Sequence, residues 1–143
     1  MYEEVNHMRE HLFRGIRVDN GEWVEGFYHY SNWINPITKE LVRTTYCILP
    51  IGGQDAYNVI PETVSEYIGI DDNNGNKIWE NSVVKFDDII GVVNYNMGCF
   101  CIKTNKPDWM SRNNPAIDII LNEYPNEIEV IGNVFENSEL LEG

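Results

Sequence analysis

The chain has no surplus of positive charge: 10 Lys and Arg stand against 23 Asp and Glu, a formal net charge of −13 at pH 7. Binding to a nucleic-acid backbone needs cations that displace phosphate counterions, so the composition argues against direct nucleic-acid contact. Long apolar runs are also missing. No stretch approaches the roughly 18 consecutive apolar residues of a membrane-spanning helix. The opening Met1-Tyr2-Glu3-Glu4 has neither the basic nor the apolar region of a secretory signal. Both absences lead to the expectation of a cytoplasmic protein with no membrane partner. Cysteine is scarce, with three residues, Cys47, Cys99 and Cys101. An odd count without a leader suits reduced thiols and not a disulfide framework.

Catalytic motifs are absent as well. There is no Gly-rich phosphate loop, no G-x-S-x-G elbow and no H-E-x-x-H. On a strand, Cys99 and Cys101 would point to the same face. Zinc would need two more ligands, and His7, His11 and His29 lie far away in sequence. Small buried thiols packing as hydrophobes are the simpler reading. Asp71-Asp72-Asn73-Asn74-Gly75 invites a calcium-loop reading, but Ile70 falls on the first ligand position and no glutamate closes the loop. That run reads as a hairpin turn. His29, on an aromatic strand, is more simply a structural histidine than an acid or base. No catalytic, metal-binding or cofactor-binding residue is assigned, no cofactor is expected, and a non-enzymatic role is favoured.

What is present is a succession of short β segments. At 143 residues the chain fits one domain, or two small β subdomains of about 9–60 and 61–143, with 1–9 a frayed end. Asp19-Asn20-Gly21 is the signature of a type I′ hairpin. It joins a strand near Phe13–Val18 to one over Glu22–Tyr30, whose inward set reads as Val24, Gly26, Tyr28 and Tyr30. Ser31–Glu40 reads as a loop or hairpin tip. Leu41–Leu49 is rich in β-formers and stops at Pro50. Tyr57–Ile60 is a short extended piece, and Pro61-Glu62-Thr63 is placed at the start of another strand through Val64, Tyr67 and Ile68. Hairpins are expected around Asp72–Gly75 and across Asn96-Met97-Gly98. Ala116–Asn122 fits a helical face and a strand equally, Glu127–Glu136 alternates as a strand, and Asn137–Leu141 is at most one helical turn. The fold class is therefore all-β, short twisted strands in a barrel-like arrangement with little helix.

Two features bear on partners. From Asn113 onward there are seven acids (Asp118, Glu123, Glu127, Glu129, Glu136, Glu139, Glu142) and no Lys or Arg. A solubilising acidic surface is the simple reading. The sharper one is a DNA mimic that blocks a host nucleic-acid-binding protein. Trp33, Trp109 and Met110 sit in polar, loop-like stretches without alternating neighbours to bury them. Trp and Met are enriched at binding hot spots, which makes these three the expected partner contacts, to a host protein or to a sister subunit. A third reading, a small-ligand binder or unrecognised enzyme, would place Trp23, Tyr28, Tyr30 or His29 at a barrel mouth.

Three segments together resemble the YopX family of phage and prophage proteins. They are Phe13–Phe27, with Arg14-Gly15-Ile16 and Asp19-Asn20-Gly21-Glu22-Trp23; Tyr67–Glu80, with Gly69, Asp72, Gly75, Ile78 and Trp79; and Val130–Asn137, with Gly132-Asn133, followed by Leu140-Leu141. Pro61-Glu62-Thr63-Val64 fits between them. The resemblance implies an all-β fold, a phage or prophage origin and a bacterial cytoplasm. It implies no chemistry and no site residues. One departure stands out: members of the family usually carry Gly-Asp after the glutamate that is Glu80 here, and this chain has Asn81-Ser82. Asn tolerates the left-handed turn that Gly would take.

Overall fold

The computed structural model describes residues 11–104, 115–123 and 126–142. The chain clusters into two compact units, Met1–Glu66 and Tyr67–Gly143.

The first unit is built on four antiparallel strands, β1 (Phe13–Ile16), β2 (Trp23–Ile34), β3 (Leu41–Pro50) and β4 (Tyr57–Asn58), in the order β4-β3-β2-β1. Its interior is small. Val24, Ile48 and Val59 are buried, and Phe13, Tyr28, Tyr46, Tyr57 and Val64 pack around them. The alternation of β2 holds at its base: Val24 and Gly26 are buried and Tyr28 is half-buried. It fails at Tyr30, which is 62% exposed, because the strand has by then outrun the core.

Several local expectations are corrected. The β1–β2 connection is longer than a two-residue type I′ turn. Arg17 N–H donates to the Glu22 carbonyl at 2.8 Å and Gly21 N–H to the Arg17 carbonyl at 3.0 Å, and of the turn residues only Gly21 has positive φ (74°). Arg17 explains the wider loop, since its guanidinium is committed to Asp19 at 2.7 Å and to the Tyr57 ring at 3.8 Å. The two-residue turn with both φ positive occurs at Met97 (50°) and Gly98 (85°). Pro61–Thr63 forms a 3-10 turn and not the start of a strand. Proline suits its first position, and Thr63 Oγ1, donating to the Ile60 carbonyl at 2.6 Å, also accepts the Ile16 amide at 2.9 Å.

β5 (Ser65–Asp71) is the element at which the two units divide, its first residues pairing with β1 and its later ones with β6 (Lys77–Trp79). In the second unit β7 (Ser82–Phe86), β8 (Ile89–Asn96), β9 (Cys99–Thr104) and β10 (Glu129–Asn133) form an antiparallel sheet in the order β10-β7-β8-β9. The ambiguous segment is helical: α1 (Ile117–Glu123) lays Ile117 and Ile120 into a core with Ile102, Val93, Val84 and Phe86. The tail ends in a 3-10 turn, Ser138–Leu141.

The chain is all-β in class, but among the described residues the strands do not close into a barrel. Closure needs every strand to be hydrogen-bonded on both sides. Here β9 and β10 stand at opposite edges of their sheet, and β4 is a two-residue edge of the other. Among the described residues, α1 in place of a returning sheet covers the second core.

The turn predicted by resemblance takes the expected form. Asn81 has φ 70°, the left-handed conformation that glycine would adopt. Ser82 is fully buried, and its Oγ accepts the Trp79 amide at 3.0 Å. The serine thus takes up a backbone donor inside the turn.

Candidate interaction surface

The β2–β3 hairpin is much longer than the core beneath it. β2 has 12 residues and β3 has 10, and their ladder runs from Gly26 opposite Pro50 to Ile34 opposite Leu41. β1 pairs with β2 only up to Gly26, and β4 pairs with β3 only at Cys47 and Ile48. The Val59 amide also bonds the Tyr46 carbonyl at 2.9 Å, so among the described residues the part beyond Tyr46 is a two-stranded arm with both outer edges open.

Local chemistry builds the arm. Asn35 closes its tip: its side-chain Oδ1 accepts the amides of Ile37 at 2.8 Å and Thr38 at 3.1 Å, and its carbonyl accepts the amide of Lys39. Lys39 takes φ 65°, which turns the chain back into β3. Such Asx-type bonding explains why an Asn-Pro-containing segment forms the tip. Along the ladder, Thr44 Oγ1 donates to Asn32 Oδ1 at 2.8 Å, and the Tyr30 and Tyr46 rings sit tilted by 38° at 6.3 Å between centroids. Cross-strand pairs of this kind are what stabilise a ribbon that has no sheet behind it.

Trp33 lies on this arm, in β2 and not in a loop, because Ser31–Ile34 continue the ladder and only Asn35–Glu40 turn. Its indole N–H donates to Thr45 Oγ1 at 3.4 Å, and the Arg43 guanidinium stands 5.1 Å from its ring. The ring is held in place yet remains 51% exposed. Around it Ile34, Ile37, Leu41 and Val42 are all more than half exposed. These four were not singled out from the sequence. The sequence hides them, because Ser31–Glu40 reads as a loop and the ladder out to Ile34 emerges only when β2 and β3 pair. Trp109 and Met110 lie outside the described residues.

Charge sets the arm apart. Residues 27–46 carry Lys39, Glu40 and Arg43, while the whole chain carries −13. Residues 27–34 of β2, exposed except for the half-buried Tyr28, contain no Lys, Arg, Asp, Glu or Pro. Edge strands that must stay unpaired are usually guarded by those residues.

The other candidate sites do not converge. Among the described residues there are clefts of about 270 Å³ beside Val18, Asp19 and Tyr57 and of about 370 Å³ between Ile90, Val92, Lys103 and Leu141. Of the residues placed at a barrel mouth, His29 and Tyr30 are exposed, and Trp23 is covered by the Arg14 guanidinium at 4.3 Å. No cluster of three or more His, Cys, Asp or Glu that would hold a metal ion exists among the described residues. No helix among them is long and apolar enough to cross a membrane.

No curated protein matches the chain. The family described as YopX protein matches residues 12–142, nearly the whole length, and spans every strand described above. The chain belongs to the YopX family.

Proposed function

We propose that this chain is a non-enzymatic phage or prophage accessory protein of the bacterial cytoplasm that works by protein–protein contact, with the β2–β3 arm as its contact surface and a second copy of itself as the first partner. The observation that carries the reading is the exposed, uncharged edge of β2 flanked by Tyr30, Trp33 and Ile34. Two copies, each at −13, repel one another over most of their surfaces. The arm is where that repulsion is weakest. An edge meeting its own two-fold mate satisfies backbone groups on both sides at once, and full burial of each large apolar side chain contributes about 1.5–3 kcal/mol.

Sedimentation velocity over a wide concentration range tests this. The parent protein is expected to dimerise or form a higher assembly, and the double variant Trp33→Ser, Ile34→Asn to sediment as a monomer with an unchanged circular dichroism spectrum. A parent protein that stays monomeric, or a variant that associates as well as the parent, contradicts the reading.

A second reading keeps the acidic surface as a docking site for a basic host protein, supported by the seven acids and absence of Lys and Arg after Asn113. It predicts capture of a host partner that is lost at high salt and retained by the arm variant.

A further inference from the structure

Cys99 and Cys101 occupy alternate positions on β9, opposite Asn96 and Asn94 of β8. Their sulfurs are 3.6 Å apart, a van der Waals contact between two thiols. The carbonyl of Asn96 lies 3.6 Å from Cys99 Sγ and 3.9 Å from Cys101 Sγ, which aims both thiols to the same side of the hairpin. The two differ in access. Cys99 is exposed and Cys101 is buried, at 4% exposure.

We propose that Cys99 and Cys101 form a two-thiol redox site that a hydroperoxide converts to an intrachain disulfide. Cys99, the accessible sulfur, attacks the terminal oxygen of the peroxide. The O–O bond breaks, Cys99 becomes a sulfenic acid and the peroxide leaves as water or an alcohol. Cys101 then attacks the Cys99 sulfur, the S–O bond breaks, and the departing hydroxide leaves as water with the Cys101 proton. Two thiols lose two electrons and the peroxide gains them. A dithiol reductant reverses the bond by exchange.

The geometry also sets the character of the product. Two residues of strand separate the α-carbons by about 6.6 Å at the usual rise, the upper edge of the roughly 4.4–6.8 Å that a disulfide spans. The span is thus within a disulfide's reach, and the accessible Cys99 sulfur leaves the bond open to dithiol exchange. Burial, the Cys99 contact and the nearby Asp118 charge push the Cys101 thiol up to about 11. The resolving step accordingly speeds up as pH rises toward that value, because the thiolate is the attacking form.

Cys47, on β3, is the internal control. Treatment of the native protein with hydrogen peroxide, followed by alkylation and intact-mass measurement, is expected to show two of the three thiols lost and two hydrogens removed, all restored by dithiothreitol. In Cys101→Ser, Cys99 is expected to stop at the sulfenic acid and react with dimedone. In Cys99→Ser, no second thiol is lost. The proposal is overturned if the parent gains oxygen atoms on Cys99 without losing Cys101, if the bond formed joins two chains, or if Cys99→Ser loses thiols as fast as the parent.

Discussion

The carboxylate of Asp72 accepts the backbone amide of Val130 at 2.9 Å, joining a turn to a strand 58 residues further on. Its other oxygen accepts the amides of Asn74 at 2.9 Å and Asn76 at 2.8 Å, which closes the β5–β6 turn. One buried carboxylate thus fixes a hairpin and anchors β10 beside it. Loss of the side chain leaves three amides without their acceptor, so Asp72→Ala is expected to cost about 2–4 kcal/mol of unfolding free energy, read from urea denaturation.

The same carboxylate gives the protein an acid limb. Burial pushes Asp72 upward, but the donors from Val130, Asn76 and Asn74 outweigh it and hold the group below its ordinary value. A depressed native value means that stability is present above the unfolded value of about 3.9 and is lost as pH falls through the lower native one. Asp72→Asn cannot titrate. The stability gap between parent and D72N is therefore expected to be full at neutral pH and to close below about pH 4; a gap constant from pH 7 to pH 2 would remove the ionised carboxylate from the account.

Asn81 sits at φ 70°, the left-handed region that favours glycine. Its backbone is bonded on both sides, the amide to the Val93 carbonyl at 2.8 Å and the carbonyl to the Val134 amide at 3.0 Å. A β-branched residue there faces the left-handed penalty with no way to relax. Asn81→Val is expected to lose about 2 kcal/mol, and Asn81→Gly to stay within about 1 kcal/mol of the parent. Thermal melts of the three proteins check the order.

Gly26 closes the base of the arm. A Cβ there would run into the Leu49 carbonyl and lie 2.8 Å from the Pro50 α-carbon, both backbone atoms that cannot swing aside. Gly26→Ala is expected to cost about 3 kcal/mol and to disturb the β2–β3 register. Association is expected to fall with it, since the arm projects from that point.

Much of this fold was legible because its signals are local. Pro50 ends β3, Gly75 and Gly98 mark turns, and alternation exposes the base of β2. What was not legible depends on partners distant in sequence. Ala116–Asn122 is short and apolar enough for strand or helix, and the core holding Ile117 and Ile120 decides it. The barrel-like arrangement failed for the same reason, because edge pairing is set by which strands are long enough to be reached. Trp33 was found by its lack of buried neighbours, but its setting was not. The ladder that carries Ile34, Leu41 and Val42 outward is visible only once β2 and β3 are paired.

Backbone hydrogen exchange along β2 reports directly on whether the arm pairs with a second copy. At high protein concentration the outward-facing amides of residues 27–34 are expected to be protected, and dilution or Trp33→Ser, Ile34→Asn to return them to fast exchange. Rapid exchange of those amides at every concentration, with no difference between parent and variant, would contradict an arm that pairs with its own copy.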